Sequence, residues 1–412
     1  MAFRKNIKTF IVLEVFTILV ISLNYLHSKR EMPGELIASD QIASVNYIMN
    51  EDETLADVSV MSEVTSVLEE PVMQTDASSQ ENKIFRMIEN ETTEQNTEED
   101  IEEETKDFIK WVDFKVSYEA LETAYQYDVE TYGKENHVSW IELLAYEAAK
   151  NGGTITSKMC KGMKETAEEL VGQTTSIEVL TQDMKYYNYY LEAYTAILGG
   201  YVGEYEVEAG EGEGDGSEIY EKKYGLKAFS PIAKGFPYSD YDDFGVSRSY
   251  GFKREHLGHD FMGQIGTPII AVESGYVEAI GWNQYGGWRL GIRSLDKKRY
   301  YYYAHLRQNY PFTEGLEEGS VVTAGDVIGY MGHTGYSQTE NVNNIDSVHL
   351  HYGVQLIFDE SQKECNSEIW IDPYQLVRFL SQNRSEAVKV GDTKEWKRAK
   401  KMKDPAVESY EK

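Results

Sequence analysis

The chain has 412 residues and carries 70 Asp and Glu against 40 Lys and Arg, a formal net charge of −30 at pH 7. That length accommodates two or three domains around a sizeable core, and the acidic balance argues against nucleic acid as a partner, because phosphate contact needs a basic surface. With only Cys160 and Cys365 there is no paired-cysteine zinc module, so any metal would be held by His and carboxylate; whether the two cysteines pair is left open by the sequence.

At the N-terminus, Arg4, Lys5 and Lys8 precede a mostly apolar run from Phe10 to Leu26, broken by Glu14 and Asn24 and followed by Lys29 and Arg30. Residues 1–30 read as an uncleaved signal anchor. A cleaved signal peptide is the rival, but no small-x-small site follows the run directly. The basic residues ahead of the span place the N-terminus in the cytoplasm and the rest of the chain outside, giving a single-pass cell-membrane protein with its C-terminal region extracellular. Residues 31–107 are dense in Asp and Glu, as in Glu98-Glu99-Asp100-Ile101-Glu102-Glu103-Glu104, and poor in large apolar side chains. Like-charge repulsion and a weak drive to collapse predict a disordered tether.

From 108 to 208 the periodicity is helical. Ser117 precedes Tyr118, Leu121, Tyr125 and Val129, with Gly133 closing the run; Ser139 and Glu142 form a capping-box pattern ahead of Leu143, Leu144 and Ala148, and Asn151-Gly152-Gly153 ends it. Two more helices are predicted, from Met163 to Val171 and from Ile177 to Leu198. Glu147 invites comparison with a lysozyme-type catalytic glutamate, but the Ser- and Gly-rich surroundings of such sites are missing. Tyr186, Tyr187, Tyr189, Tyr190 and Tyr194 suit helix packing, or a surface that recognises a protein partner.

A Gly- and Glu-rich linker is predicted over 209–223. From 224 to 383 the pattern shortens to strands at Thr267–Val272, Tyr276–Gly281, Trp288–Ser294, Tyr300–Leu306, Val327–Met331 and Val348–Leu356, punctuated by glycines. The fold class is α+β, with the helical segment followed by an antiparallel, sheet-rich domain. Residues 384–412, with Lys397-Arg398-Ala399-Lys400-Lys401, read as a charged, solvated tail able to touch an anionic polymer or lipid.

The chemistry centres on Val348 to Leu356. His349 and His351, two apart in an apolar run, share a face only if the segment is a strand; in a helix they would point about 200° apart. His256 and Asp260 lie at i and i+4, a spacing that keeps them on one face of a strand or a helix. In Tyr301-Tyr302-Tyr303-Ala304-His305, alternation puts Tyr301, Tyr303 and His305 on one face. Scattered core histidines are the bland alternative, weakened by how closely these groups follow one another.

Together, His256-Leu257-Gly258-His259-Asp260, the Gly266-Thr267-Pro268-Ile269-Ile270-Ala271 strand, Tyr303-Ala304-His305-Leu306 and His349-Leu350-His351 resemble the lysostaphin-type zinc endopeptidases, which cut peptidoglycan peptides. The resemblance covers Phe244 to Leu356 and implies Zn2+ held by His256, Asp260 and His351, with an open fourth position. It implies His305 and His349 as the catalytic pair flanking the zinc-bound water, with Tyr250 and Tyr303 as candidate oxyanion donors. His259, where the family usually has an aliphatic residue, reads as packing or support. The expected function is a membrane-anchored zinc metalloendopeptidase acting on stem peptides or cross-bridges of peptidoglycan. The alternative is a non-hydrolytic wall-binding or docking scaffold in a division or sporulation assembly. A lipoyl-like carrier, suggested by Gly275 to Gly281, lacks a hairpin-tip lysine.

Overall fold

In the computed structural model, residues 108–211, 218–250, 252–363 and 367–410 are described. The expected anchor over 1–30, the tether over 31–107, the middle of the expected linker, Cys365 and the side chain of Tyr250 lie outside them. The described residues fall in one compact unit, Ile101–Lys412. Among them no helix is long and apolar enough to cross a membrane.

A two-residue parallel pair, β1 (Lys115–Val116) with β2 (Thr154–Ile155), introduces the helical layer. Ser117 caps α1 (Tyr118–Thr131) by accepting from the Ala120 amide, and Ser139 caps α2 (Trp140–Lys150) by accepting from Glu142. These side-chain oxygens satisfy amides that the first helical turn leaves without carbonyls. Glu147 is buried in α2 and accepts from Asn151, an intrahelical tie rather than a catalytic placement. After α3 (Cys160–Val171), the single helix expected from Ile177 to Leu198 is two, α4 (Ile177–Thr181) and α5 (Tyr187–Leu198). Between them the Met184 amide donates to Thr181 and the Tyr187 amide to Met184. This tight turn buries Tyr187 while leaving Tyr186 56% exposed; no Gly or Pro announces the break.

The predicted linker at 209–223 is largely a hairpin of β3 (Val202–Glu211) and β4 (Glu218–Leu226). Glycines and acids suggested a flexible spacer, but the charges pair: Lys222 lies 2.9 Å from Glu204, and the Tyr224 hydroxyl donates to Asp128 at 2.6 Å.

The remaining strands are β5 (Ser247–Tyr250), β6 (Phe252–Glu255), β7 (His259–Met262), β8 (Pro268–Ile270), β9 (Gly275–Asn283), β10 (Gly287–Ser294), β11 (Arg299–Ala304), β12 (Val321–Val322), β13 (Val327–Tyr330), β14 (His349–Leu356) and β15 (Ile369–Ile371). The main sheet runs β12-β9-β10-β11-β14 and is antiparallel throughout; β7 and β15 divide the far edge of β14 between them. Leu290, Ile292, Tyr301, Tyr303, Leu350, Tyr352 and Val354 are buried on one face and pack in the same hydrophobic cluster as Tyr194, Leu198 and Tyr201 from the helical side. The helical and sheet segments therefore share one core.

Arg299 stands where they join, itself 1% exposed. It is paired with Glu273 through Nε to Oε2 at 2.7 Å and Nη2 to Oε1 at 2.9 Å, and donates Nη1 to the Ala196 carbonyl at the end of α5 at 2.5 Å. A Cβ on Gly200 would overlap the Glu273 carboxylate, which is why the chain can leave α5 only through a glycine there.

The expected solvated tail is also ordered. Beyond α6 (Tyr374–Leu380), β16 (Ala387–Lys389) pairs with β17 (Trp396–Arg398), β18 (Met402–Lys403) adds to β3, and α7 (Pro405–Tyr410) follows. Arg398 donates to Asp326 at 3.1 Å, and Asp404 accepts from Lys227 at 2.8 Å and from Ser274 at 2.7 Å. These basic residues find carboxylates within the fold.

Candidate metal centre

The site forms where β14 meets β7. In this register His351 stands directly opposite Asp260 and His349 opposite Met262, so side chains two apart on β14 face the same side as Asp260. His256, whose i, i+4 spacing from Asp260 suited a strand or a helix, is on neither. It lies between β6 and β7, held by its amide on Val246 and its carbonyl on Gly245. Gly258 lets this loop cross β14: a Cβ there would sit 2.6 Å from His351 Cε1 and 2.8 Å from the Tyr352 carbonyl oxygen. That is the physical content of the central glycine in His256 to Asp260.

The ligand atoms of His256, Asp260 and His351 lie within 4.8 Å of one another. His256 Nε2 is 3.0 Å from Asp260 Oδ1 and 2.9 Å from His351 Nδ1, which is itself 3.0 Å from the same carboxylate oxygen. His256 Nδ1 faces the Asp243 carbonyl at 3.0 Å and its carboxylate at 3.2 Å. With Nδ1–H donated there, Nε2 turns a lone pair toward two other acceptors. Such a convergence calls for a cation, and a nitrogen-nitrogen-oxygen donor set suits zinc. Without a metal a proton occupies this place: burial disfavours a charged His256, but bonds to Asp243 and Asp260 outweigh it and raise its pKa to about 9, so a bound metal would displace the Nε2 proton. Asp260 is held well below the ordinary carboxylate range, the cost of burial being overcome by His256 and His351. Arg248 occupies the other oxygen of Asp260 at 3.1 Å and binds Asp243 at 2.6 Å, leaving Oδ1 for the site.

His305 and His349 complete the cluster, their ring centroids 4.7 Å apart. His305 Nδ1 faces the Thr334 carbonyl at 3.0 Å and His349 Nδ1 the Ser347 carbonyl at 2.9 Å. Donating from Nδ1 leaves each Nε2 available. Burial, reinforced by His349 and His351, pushes the His305 pKa well down, so that ring is neutral; burial likewise lowers His351.

Two expectations need correction. Alternation had placed His305 with Tyr301 and Tyr303, but those tyrosines face the core opposite Val354 and Tyr352. His305 follows the end of β11 with φ at 61°, and this left-handed residue turns its ring back to the face of His349 and His351. Tyr303 is therefore no oxyanion donor: it is fully buried, and its hydroxyl accepts from the Val272 amide at 3.2 Å. His259 points away from the centre, onto Asp240 at 3.0 Å and the Phe261 ring.

Asp243, Arg248 and Thr334 were not singled out from the sequence. Asp243 lies in an acidic run that resembles solvated surface, and nothing in its spacing marks it. Because it fixes the His256 ring, Asp243→Ala is expected to weaken zinc binding by about 10- to 100-fold in competition with a chelating indicator. Unchanged affinity would remove Asp243 from the account.

The peptidase family M23 profile matches residues 254–365. An L-Ala--D-Glu endopeptidase of Bacillus subtilis (strain 168) is 37% identical over 124 residues, 30% of this chain and 36% of that protein. Lysostaphin of Staphylococcus simulans is 33% identical over 111 residues, 27% of this chain and 20% of the relative. The chain thus spans about a third or less of the length of these relatives. Among solved structures, the catalytic domain of that lysostaphin is 27% identical, covers 34% of this chain and 92% of its own, and superposes with a TM-score of 0.27.

Proposed function

Given that the chain carries a peptidase family M23 domain over residues 254–365, we propose that it is a zinc-dependent endopeptidase hydrolysing amide bonds in peptidoglycan stem peptides or cross-bridges. In this reading residues 1–30 anchor it in the cell membrane and the catalytic region works outside the cell. The observation that carries the proposal is the convergence of His256, Asp260 and His351 beside the paired rings of His305 and His349, in a family whose members are zinc peptidases.

His256 Nε2, Asp260 Oδ1 and His351 Nδ1 would hold the metal. Zinc bound by three protein ligands supplies a Lewis acid and an activated water. The chain's own part is proton handling. His305 and His349, each fixed through Nδ1, present Nε2 atoms that take the proton of the attacking water and return one to the departing amine. Neutral rings are what such a base requires, and burial keeps His305 in that state. Asp243 and Arg248 keep the ligand set in register. The complete set of five residues favours hydrolysis over the scaffold alternative.

The test is His305→Ala and His349→Ala in the full chain. Both variants should retain about one zinc per chain while losing about 100- to 10,000-fold in kcat on purified peptidoglycan. Full turnover in either variant would exclude that histidine from proton transfer.

A further inference from the structure

The sheet face that carries His349 and His351 continues across β11 to β10. Ala304 pairs with His351, Leu290 pairs with Tyr303, and Arg289 is therefore abreast of Ala304 on the same face as Tyr302 and Gly291. Two strand spacings place the α-carbon of Arg289 about 10 Å from that of His351. Ala304 lies between them on the strand, and the Tyr302 ring on the same face packs edge-on to His351 with centroids 5.9 Å apart.

Arg289 contrasts with several other arginines of the described residues. Arg293, two positions along the same face, is paired with Glu278 and Glu360; Arg248, Arg299 and Arg398 each hold a carboxylate, and Arg384 binds three carbonyls. Among the described residues Arg289 makes no ion pair or hydrogen bond, and its Nη1 is enclosed without an acceptor. The residue as a whole is only partly buried. The guanidinium is thus packed in place beside Tyr300 and Tyr302 with one fork left to the open face. A half-buried cation with no counter-charge is costly unless a ligand supplies one. A planar fork of two N–H donors matches a carboxylate.

We propose that Arg289 is a specificity-determining residue that binds a free carboxylate on the substrate peptide, within about three residues of the scissile amide. The inference rests on the endopeptidase reading and sharpens it: acidic stem-like peptides are preferred over neutral oligoglycine. Arg289 touches no ligand of the metal centre, so its effect belongs to peptide affinity and not to zinc binding.

The test uses the zinc-loaded full chain and two peptides of Ala, γ-linked D-Glu and Lys with an N-methylated, uncleavable Ala–Glu amide. One has the free α-carboxylate of Glu and the other its carboxamide. Calorimetry should show about 10- to 100-fold tighter binding of the carboxylate form. Arg289→Gln should abolish that preference without changing carboxamide affinity or zinc content, and Arg289→Lys should restore part of it. Equal binding of the two peptides by the wild-type chain, or binding of neither, overturns the proposal without recourse to a variant. So does a preference that survives in Arg289→Gln. Cleavage is read separately on unmethylated peptides: a carboxylate preference that depends on Arg289, without hydrolysis, supports the subsite and overturns the endopeptidase reading.

Discussion

Asp260→Ala should leave the purified chain without stoichiometric zinc and lower peptidoglycan hydrolysis by at least about 1000-fold, equivalent to about 4 kcal/mol of transition-state stabilisation. Asp260 is the shared neighbour of both imidazole nitrogens, at 3.0 Å from each, and its second oxygen anchors Arg248. Removing it leaves two ring nitrogens facing each other at 2.9 Å with no anion between them and frees Arg248 from one of its two carboxylates. Elemental analysis of the purified variant and release of soluble peptides are the two readouts. Retention of one zinc per chain would show that the metal sits elsewhere.

The second large effect is on stability. Glu273→Ala should destabilise the chain by about 3–5 kcal/mol, because it strands a fully buried guanidinium at the join between the helical layer and the sheet. Burial disfavours a charged Arg299, yet Glu273 and its neighbours hold the pKa well above the usual value, so the group stays cationic and cannot escape by losing its proton. Asp296 and the Ala196 carbonyl remain as partial compensation. Denaturant unfolding followed by tyrosine fluorescence measures the shift, and an unchanged midpoint would mean that the pair contributes nothing at this junction. The same junction argues for working with the full chain: a fragment limited to 224–383 would expose the face that Tyr194, Leu198 and Tyr201 cover.

Legibility in the sequence followed the reach of each signal. His349 and His351 could be assigned to one strand face because a strand's period of two leaves no other arrangement. The ends of α1 and α2 were legible because Ser117 and Ser139 act within three residues of the amides they bind. His305 was assigned to the wrong face because alternation presumes a continuous strand, and the positive φ that turns its ring has no marker in a histidine. Glycine and acid read as a spacer at 209–223, whereas Glu204 and Lys222 meet only once the strands are aligned. The basic residues near 400 looked solvated for the same reason, their carboxylate partners Asp326 and Glu218 being far away in the chain. Asp243 depends on a fold-level coincidence of loop and strand, and no local pattern carries that information.

The central claim is that these five residues make a zinc-dependent amide-bond hydrolase. The most direct measurement is mass spectrometry of purified peptidoglycan after incubation with the full chain of known zinc content, beside His351→Ala. About one zinc per chain and one new pair of amine and carboxyl peptide ends are expected, both lost in the variant. Intact peptides in the presence of stoichiometric zinc, or identical ends released by the metal-free variant, would contradict it.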